Sequence, residues 1–270
     1  MPLLGGRMYY LRLITSFIRV SVQEEMAYRT NFFTSLLESF LNFGTGVLGV
    51  VVLFNQVKTI HGWNFSETLA LLGTYLILSA LRGLFIGPSL DALAGLDGEI
   101  WKGTFDFTLL RPINAQFLAS FRRWRLFTVV DLLLGVGVLG VAIIPLSHML
   151  ALPHILAFLV TLCTSVIVLY AILLTFAGLL FWSPGFLFTW VFDGLFQMAR
   201  YPVGLYPGWM QFTLTWLVPI GIMTTVPAQA MSGQLPVPVL LGSILVSLLL
   251  LAGASLLFQL GLRHYASASS

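Results

Sequence analysis

Charged residues are scarce in this chain of 270 residues. Only 9% of the residues are Asp, Glu, Lys or Arg, whereas soluble domains carry roughly 25%. A soluble fold would need a polar surface that so few charged residues cannot supply. The mean hydropathy is +0.96, and 58% of the residues are hydrophobic. The composition therefore predicts an all-α integral membrane protein, formed by a single transmembrane domain over residues 1–270.

Sites for metals, disulfides and nucleotides are also lacking. The one cysteine, Cys163, lies in an apolar run and excludes an internal disulfide. The four histidines show no spacing typical of a metal site. The sequence has no G-x-x-x-x-G-K-[ST] motif, so we expect no ATP, Mg²⁺ or other cofactor on this chain. The net charge of +3 does not indicate nucleic-acid binding, because the basic residues mark membrane orientation instead.

Two G-x-G-x-x-G matches occur, at Gly44–Gly49 and Gly135–Gly140. A nucleotide-binding turn of this kind needs a preceding strand and water-accessible phosphates. Both matches lie inside apolar segments, so small residues that let helices approach closely explain them better.

Six apolar segments are long enough to cross a membrane as helices of about 20 residues. They are Asn31–Phe54, Thr68–Pro88, Leu126–Leu146, His154–Trp182, Gly185–Val203 and Pro238–Gly261. A seventh apolar stretch, Met210–Ala230, contains Pro219 and Pro227, and we expect these prolines to break it.

Lysine and arginine predict the orientation of these spans. With six crossings, ten of the 13 basic residues lie on one side of the membrane. They precede the first span, fall between the second and third spans, or follow the sixth. Both termini are therefore predicted to be cytoplasmic.

The N-terminal residues 1–30 are predicted to form an amphipathic helix in the membrane surface. As a helix, this segment carries polar residues on one face and apolar residues on another. The polar residues are Arg12, Ser16, Arg19 and Gln23, and the apolar ones are Leu11, Ile14, Ile18 and Val22. A soluble cytoplasmic helix is the alternative.

Residues 91–125 form the one sizeable polar loop, on the predicted cytoplasmic side. The loop carries aromatic residues beside its charges, among them Trp101, Phe105, Phe107 and Phe117. Exposed aromatic residues beside charges favour a docking surface, but they are also typical of an interfacial belt at the headgroups. The residue pattern leaves both interpretations open.

Four charged residues lie inside predicted spans at similar depth: Glu38, Arg82, Asp131 and Asp193. Each costs on the order of 3 kcal/mol at the centre of a membrane, so each needs a partner or water. We predict that Arg82 pairs with at least one of the three carboxylates. Asp193, Gln197 and Arg200 follow helical spacing and predict a polar stripe facing protein or a water-filled path. For the Arg82 pairing, the alternative to a substrate contact is a purely structural pin between helices.

The segment Gln197–Phe212, "QMARYPVGLYPGWMQF", interrupts an apolar region with two Tyr-Pro pairs. Pro202 and Pro207 are expected to end the fifth span. The chain that follows is too short for two crossings, so residues 204–234 are predicted to form an outer re-entrant helical hairpin. A seventh span with a proline kink is the alternative.

The chain resembles the membrane subunits of ABC-2 type transporters, especially the branch of daunorubicin-resistance permeases. Four segments carry the resemblance: "GTFDFTLLRPINAQF" (Gly103–Phe117), "ARYPVGLYPGW" (Ala199–Trp209), "PIGIMTTVPAQAMSG" (Pro219–Gly233) and "RHYASASS" (Arg263–Ser270).

The resemblance implies that the chain is a non-enzymatic permease of the bacterial plasma membrane that exports a cargo. Its partners would be a cytoplasmic ATP-binding-cassette ATPase dimer, which holds ATP and Mg²⁺, and a second permease chain, identical or a sibling. The loop segment Gly98–Pro112 would hold a coupling helix between the second and third spans.

These implications assign roles to particular residues. The residues expected to couple to the ATPase are Glu99, Trp101, Phe105, Asp106, Leu110 and Arg111. The residues expected to line or close the path are Asp193, Gln197, Arg200, Tyr201, Pro202, Tyr206, Pro207 and Pro227. Two rival hypotheses remain, namely an ATPase-independent channel or secondary transporter, and an intramembrane enzyme acting on lipids.

Overall fold

The computed structural model describes residues 3–27, 29–146 and 151–265. Residues 266–270, which end the segment Arg263–Ser270, and residues 147–150, between the third and fourth predicted spans, lie outside these ranges. Within the described residues all extended regular elements are helices, and a single isolated β-bridge pairs Ile60 with Trp63.

Twelve α-helices follow one another in the described residues. They are α1 (Leu3–Ala27), α2 (Arg29–Gln56), α3 (Phe65–Leu81), α4 (Gly87–Asp91), α5 (Asp106–Leu109), α6 (Ala115–Phe121), α7 (Val129–Leu146), α8 (Leu152–Leu179), α9 (Phe188–Gln197), α10 (Gly208–Phe212), α11 (Ile220–Met231) and α12 (Val237–His264).

Among residues 3–27, 29–146 and 151–265, five helical segments are long and apolar enough to cross a membrane. They are Phe32–Gln56, Phe65–Asp91, Leu126–Leu146, Leu152–Leu179 and Val237–His264. These correspond to the first four predicted spans and the sixth. The second of them includes a π-helical turn, Arg82–Ile86, that joins α3 to α4.

The fifth predicted span, Gly185–Val203, is not one long helix, and this part of the prediction is wrong. Its α-helix, α9, has ten residues, which is about 15 Å at 1.5 Å per residue and half the thickness of a membrane core. Pro184 and Gly185 lie in a turn before it. After a 3₁₀ turn at Met198–Arg200, extended backbone at Tyr201 leads into Pro202.

The segment after α9 contains a sharp bend. Gly208–Thr215 and Ile220–Met231 meet at 87°, and they add a sixth crossing only if the bent pair counts as one span. Pro219 lies at the bend and precedes α11, as expected. Pro227, predicted to break the chain, instead lies buried inside α11, since packing neighbours can compensate for the hydrogen bond that an internal proline removes.

The core forms where helices approach closely over glycines. A Cβ on Gly73 of α3 would lie 2.8 Å from the Leu139 backbone nitrogen of α7, and one on Gly135 would lie 2.9 Å from the Ile77 nitrogen. Helices α8 and α12 meet in the same way at Gly178 and Gly261. Gly135 therefore acts in helix packing, as the sequence indicated for its motif.

Helix α1 is tied to the chain that enters α7. The Ser21 hydroxyl accepts a hydrogen bond from the Trp124 backbone N–H (3.1 Å), and the Glu25 carboxylate accepts one from the Leu126 N–H (2.9 Å). The four predicted polar-face residues of α1 are exposed. This helix is therefore fixed to the same end of the molecule as the loop at 91–125.

Candidate functional site

The loop between α4 and α6 is compact, with little regular structure. Turns occupy most of residues 92–105, and α5 contributes a single helical turn at Asp106–Leu109. The helical part of the predicted coupling segment, Gly98–Pro112, is thus only one turn long.

Glu99, predicted to contact a partner, points into the loop instead. Its carboxylate pairs with the guanidinium groups of Arg122 and of Arg123, the latter at 2.9 Å, and its side chain is 13% exposed. The Glu99 backbone N–H donates to the Ala92 carbonyl oxygen at 3.0 Å. Glu99 therefore fastens the loop to the segment that leads into α7.

Phe105 is fully buried, which contradicts its prediction as an exposed docking residue. Its ring packs 5.6 Å from that of Phe181 and 5.8 Å from that of Tyr265, because this part of the loop folds back onto the ends of α8 and α12. Burial, together with the nearby Asp106 carboxylate, raises the pKa of the Tyr265 hydroxyl to about 12. Phe105 thus anchors the loop to the ends of α8 and α12.

Other apolar side chains of the loop face outward. They are between 52% and 80% exposed, and we call them the loop's apolar surface: Leu96, Trp101, Phe107 and Leu110. Leu96 and Trp101 both lie beside Gly185, whereas Phe107 and Leu110 are one helical turn apart at α5. Arg111, also predicted to couple, is exposed next to them.

A second feature is a polar cavity of about 360 Å³ between α2, α3, α7 and α9. The structure brings the four charged residues of the predicted spans together in its lining. The charged lining residues are Glu38, Arg82, Asp131, Asp193 and Arg200, and Gln197 lies beside them. A cavity lined by charges within spans is where water or a polar ligand can be accommodated.

Arg82 lies between two carboxylates in this region. Its Nη2 is 2.7 Å from Oδ1 of Asp193 and 3.7 Å from Oδ2 of Asp91, and its guanidinium stands 5.4 Å from the ring centre of Phe192. The short contact is an ion pair without hydrogen-bond alignment, because neither Nε nor Nη2 has a hydrogen-bond partner. Asp193 is one of the three partners that the sequence allowed, while Asp91 was missed.

The other two carboxylates, Glu38 and Asp131, have no ion-pair partner among the described residues. They also line a smaller adjacent cavity of about 110 Å³, which Glu25 and Arg125 share. A third cavity of about 580 Å³ adjoins it and is lined by Glu38 as well. Adjacent cavities therefore extend from the loop end of the molecule to Arg200.

Helix α2 closes against Arg200 and Tyr201 at the far end of these cavities. Arg200 donates from Nη2 to Oδ1 of Asn42 at 3.0 Å and from Nη1 to Oγ1 of Thr45 at 3.4 Å. The Tyr201 hydroxyl occupies the space where a Cβ on Gly49 would lie. We call this contact of α2 with Arg200 and Tyr201, at the end of the cavities away from the loop, the closure.

Asn42 and Thr45 were missed, although the sequence holds a signal for them. Glu38, Asn42, Thr45 and Gly49 fall at i, i+4, i+7 and i+11 on α2. This is the same spacing that identified Asp193 and Gln197 on α9 and Arg200 in the turn that follows it, and polar residues of the two segments line the same cavity.

The remaining predicted path residues lie beyond the closure and line none of the three cavities. Pro202 is buried, and the Tyr206 hydroxyl donates to the Met198 carbonyl oxygen at 2.8 Å. Pro207 precedes α10, and Pro227 lies within α11. In the part of the chain that the structure describes, no group of three or more His, Cys, Asp or Glu could hold a metal ion.

Comparisons with known proteins identify the family of this chain. A search of curated proteins and a search of solved structures each return no match. The family model described as ABC-2 family transporter protein matches residues 40–269, which include four of the five long helices, most of the first, the loop, and the lining of the polar cavity apart from Glu38. The chain therefore belongs to the ABC-2 family of transporter proteins and is a membrane permease.

Proposed function

We propose that this chain is the membrane subunit of an ATP-driven exporter, powered by a separate cytoplasmic ATPase dimer that holds the ATP and Mg²⁺. The observation that carries this proposal is the loop's apolar surface, which is exposed on a rigidly held loop outside the long helices. Four large apolar side chains without cover at a polar loop are typical of a protein contact.

The way the loop is held supports a mechanical role. Glu99 ties it to Arg122 and Arg123, and Phe105 anchors it among aromatic rings. A flexible loop would absorb the movement of a partner, whereas a braced loop transmits it. The outward-facing Trp101, Leu110 and Arg111 are the residues of the predicted coupling set that can make the contact, and Glu99 and Phe105 hold them in place.

Helix α2 supports a second permease chain as the other partner. Glu38, Asn42 and Thr45 are exposed in the described chain although they lie within a span, and polar side chains at such depth do not face lipid. A second copy or a sibling chain would complete the walls of a path along α2 and α9. Arg200 and Tyr201 would close its outer end.

The remaining features of the proposal follow the family and the charge pattern. The chain lies in a bacterial plasma membrane with both termini in the cytoplasm, in agreement with its basic residues. Its daunorubicin-type branch, its outer re-entrant hairpin and export as the direction of transport belong to the proposal in the same way.

Co-purification tests the proposal directly. The wild-type chain, extracted gently from its native membrane, should carry an ATP-binding-cassette ATPase in an equal number of copies. The double variant Trp101→Glu with Leu110→Glu should lose it, because two carboxylates would lie in an apolar contact. Val57→Glu is the matched control, since Val57 is an exposed apolar residue after the opposite end of α2.

Two results would contradict the proposal. One is transport by the purified chain in vesicles without any nucleotide-hydrolysing partner, as a channel or secondary transporter would show. The other is undiminished association of the ATPase with the double variant, which would exclude the loop's apolar surface as the contact.

A further inference from the structure

Two functional regions of this chain are joined through Arg82. The loop begins immediately after Asp91, the last residue of α4. Helix α9 leads through Met198–Arg200 to the closure at Arg200 and Tyr201. The Arg82 guanidinium contacts Asp91 on one side and Asp193 of α9 on the other.

Short backbone hydrogen bonds join Asp91 to the loop. The Ala94 N–H donates to the Asp91 carbonyl oxygen at 3.0 Å, and the Glu99 N–H donates to Ala92 at the same distance. Glu99 in turn carries the ion pairs to Arg122 and Arg123. A push on the loop therefore displaces the Asp91 carboxylate.

Helix α9 is held against α3 and α4 by a small number of contacts. Besides the Arg82–Asp193 pair, the Thr189 hydroxyl donates to Oδ1 of Asp91 at 3.4 Å. The ring of Phe196 lies 5.1 Å from that of Tyr75. Aromatic packing also holds α9, since Phe192 is buried against Phe176. The Arg82–Asp193 pair is the shorter of the two polar contacts named here.

The backbone around Arg82 is suited to a change of partner. Arg82 begins the π-helical turn, in which the Gly87 N–H donates to the Arg82 carbonyl oxygen, and such turns often occur at functional sites. A Cβ on Gly87 would lie 3.0 Å from that oxygen and 3.2 Å from Oδ2 of Asp91. Glycine at this position therefore leaves room for the Asp91 side chain to approach Arg82.

We propose that Arg82 is the positioning residue that couples the loop to the closure, by exchanging its guanidinium between Asp193 and Asp91. This inference rests on the proposed function. In the closed arrangement, Arg82 pairs with Asp193 at 2.7 Å and stays 3.7 Å from Asp91. When the ATPase moves the loop, Asp91 advances and takes the guanidinium, which releases α9 and with it Arg200 from α2.

If Arg82 exchanges partners, removing the charge of Asp91 and removing that of Asp193 should have opposite effects on the docking of α9. If the ion pairs are only structural, the two effects should be alike. Asp91→Asn leaves Arg82 only Asp193, so α9 stays docked. Asp193→Asn leaves Arg82 only Asp91, so α9 is released without any push from the loop. If the two ion pairs merely stabilised the fold, both single variants would loosen α9, whether or not their effects added in the double variant, because the two carboxylates share Arg82 as a partner.

Pulsed electron-spin distance measurements can separate these outcomes. Spin labels replace Leu48 of α2 and Val191 of α9, which are both exposed, in a chain whose Cys163 is changed to alanine. The sample is the complex with its co-purifying ATPase, without nucleotide or trapped with ATP and vanadate. Asp97→Asn is the matched control, because that exposed loop carboxylate pairs with Lys102 rather than with Arg82.

The wild type and the Asp97→Asn control should shift to a longer distance on trapping. Asp91→Asn should keep the short distance in both states, and Asp193→Asn should show the long distance in both. The double variant should behave like Asp193→Asn. Lengthening in both single variants, or in neither, overturns the exchange.

If the proposed function is wrong, the results differ from those that overturn the exchange. A wild-type chain that recruits no ATPase contradicts the proposed function alone. The nucleotide-free comparison of the isolated variants still tests the exchange, because Asp193→Asn should lengthen the distance and Asp91→Asn should not.

Discussion

Helices α2 and α3 have nearly the same hydropathy and very different surroundings. Their most apolar windows have mean hydropathies of 1.8 and 1.9, yet 17% of the α2 window is buried inside the protein against 67% of the α3 window. Apolar content therefore predicts that both helices enter the membrane, but not which of them forms the core.

The difference comes from which residue types lie on each helix. Helix α3 carries Gly73, which permits direct backbone contact with α7, and its buried Thr74 donates a local hydrogen bond to the Ala70 carbonyl oxygen. Helix α2 carries Glu38 and Asn42, which line the polar cavity, and Thr45, which accepts a hydrogen bond from Arg200. The packed side of the molecule supplies stability, and the polar side lines the proposed path.

The loop also has a buried side and an exposed side. We expect the largest effect from a substitution at the buried Phe105. Phe105→Ala should reduce the free energy of unfolding by about 3–5 kcal/mol, the cost of truncating a buried Phe. Phe107→Ala, two residues away and exposed, should leave thermal unfolding in detergent unchanged and weaken ATPase association. Equal thermal stability of the two variants would contradict the assignment of Phe105 as the anchor.

The contact between α3 and α7 can be tested at Gly135. Gly135→Val should cost about 1–3 kcal/mol, because the new Cβ would lie within 3 Å of the α3 backbone. Gly137→Val on the same helix meets no atom within 4 Å and serves as the control. Thermal unfolding followed by tryptophan fluorescence compares the two, and similar midpoints would mean that α3 and α7 are not in backbone contact.

Removing the ion pairs of Glu99, which brace the loop, should have a smaller effect on the free energy of unfolding. Glu99→Ala leaves two guanidinium groups without their carboxylate and should cost about 1–2 kcal/mol, because partial exposure of both arginines limits the penalty. It should also weaken ATPase binding. Asp97→Ala removes an exposed ion pair and should leave both unfolding and binding unchanged, so a similar loss in the two variants would exclude Glu99 as a brace.

The smallest expected effect concerns pH at the α1 attachment. Burial raises the pKa of Glu25 above 4.5, although the Leu126 and Phe127 backbone groups and Arg125 act in the opposite direction. The folded state therefore holds this proton more tightly than the unfolded state, and stability should fall as pH rises from 4.5 through the raised pKa.

Glu25→Gln should flatten that part of the pH profile, measured as the thermal unfolding midpoint from pH 4.5 to neutral. Glu24→Gln changes an exposed neighbour and should leave the slope in place. A slope that survives in Glu25→Gln would assign the pH dependence to another group.

The sequence predicted the membrane class, five long helices and the charged residues that meet in the cavity. Hydropathy and helical spacing are local properties, and they were sufficient there. It failed at Gly185–Val203, where apolar content suggested a full span although the α-helix covers only Phe188–Gln197. It also failed at Phe105, because an aromatic residue beside charges suits both a surface and an anchor. Asp91 was missed because its contact with Arg82 depends on the π-helical turn, which no residue pattern indicated.

Photo-crosslinking in intact membranes tests the central claim most directly. A photoreactive phenylalanine analogue at Leu110 should give an adduct of this chain with a cytoplasmic ATPase, and the same analogue at Val57 should give none. The account would be contradicted if positions 101, 107 and 110 all failed to capture the ATPase while it still co-purified with the chain.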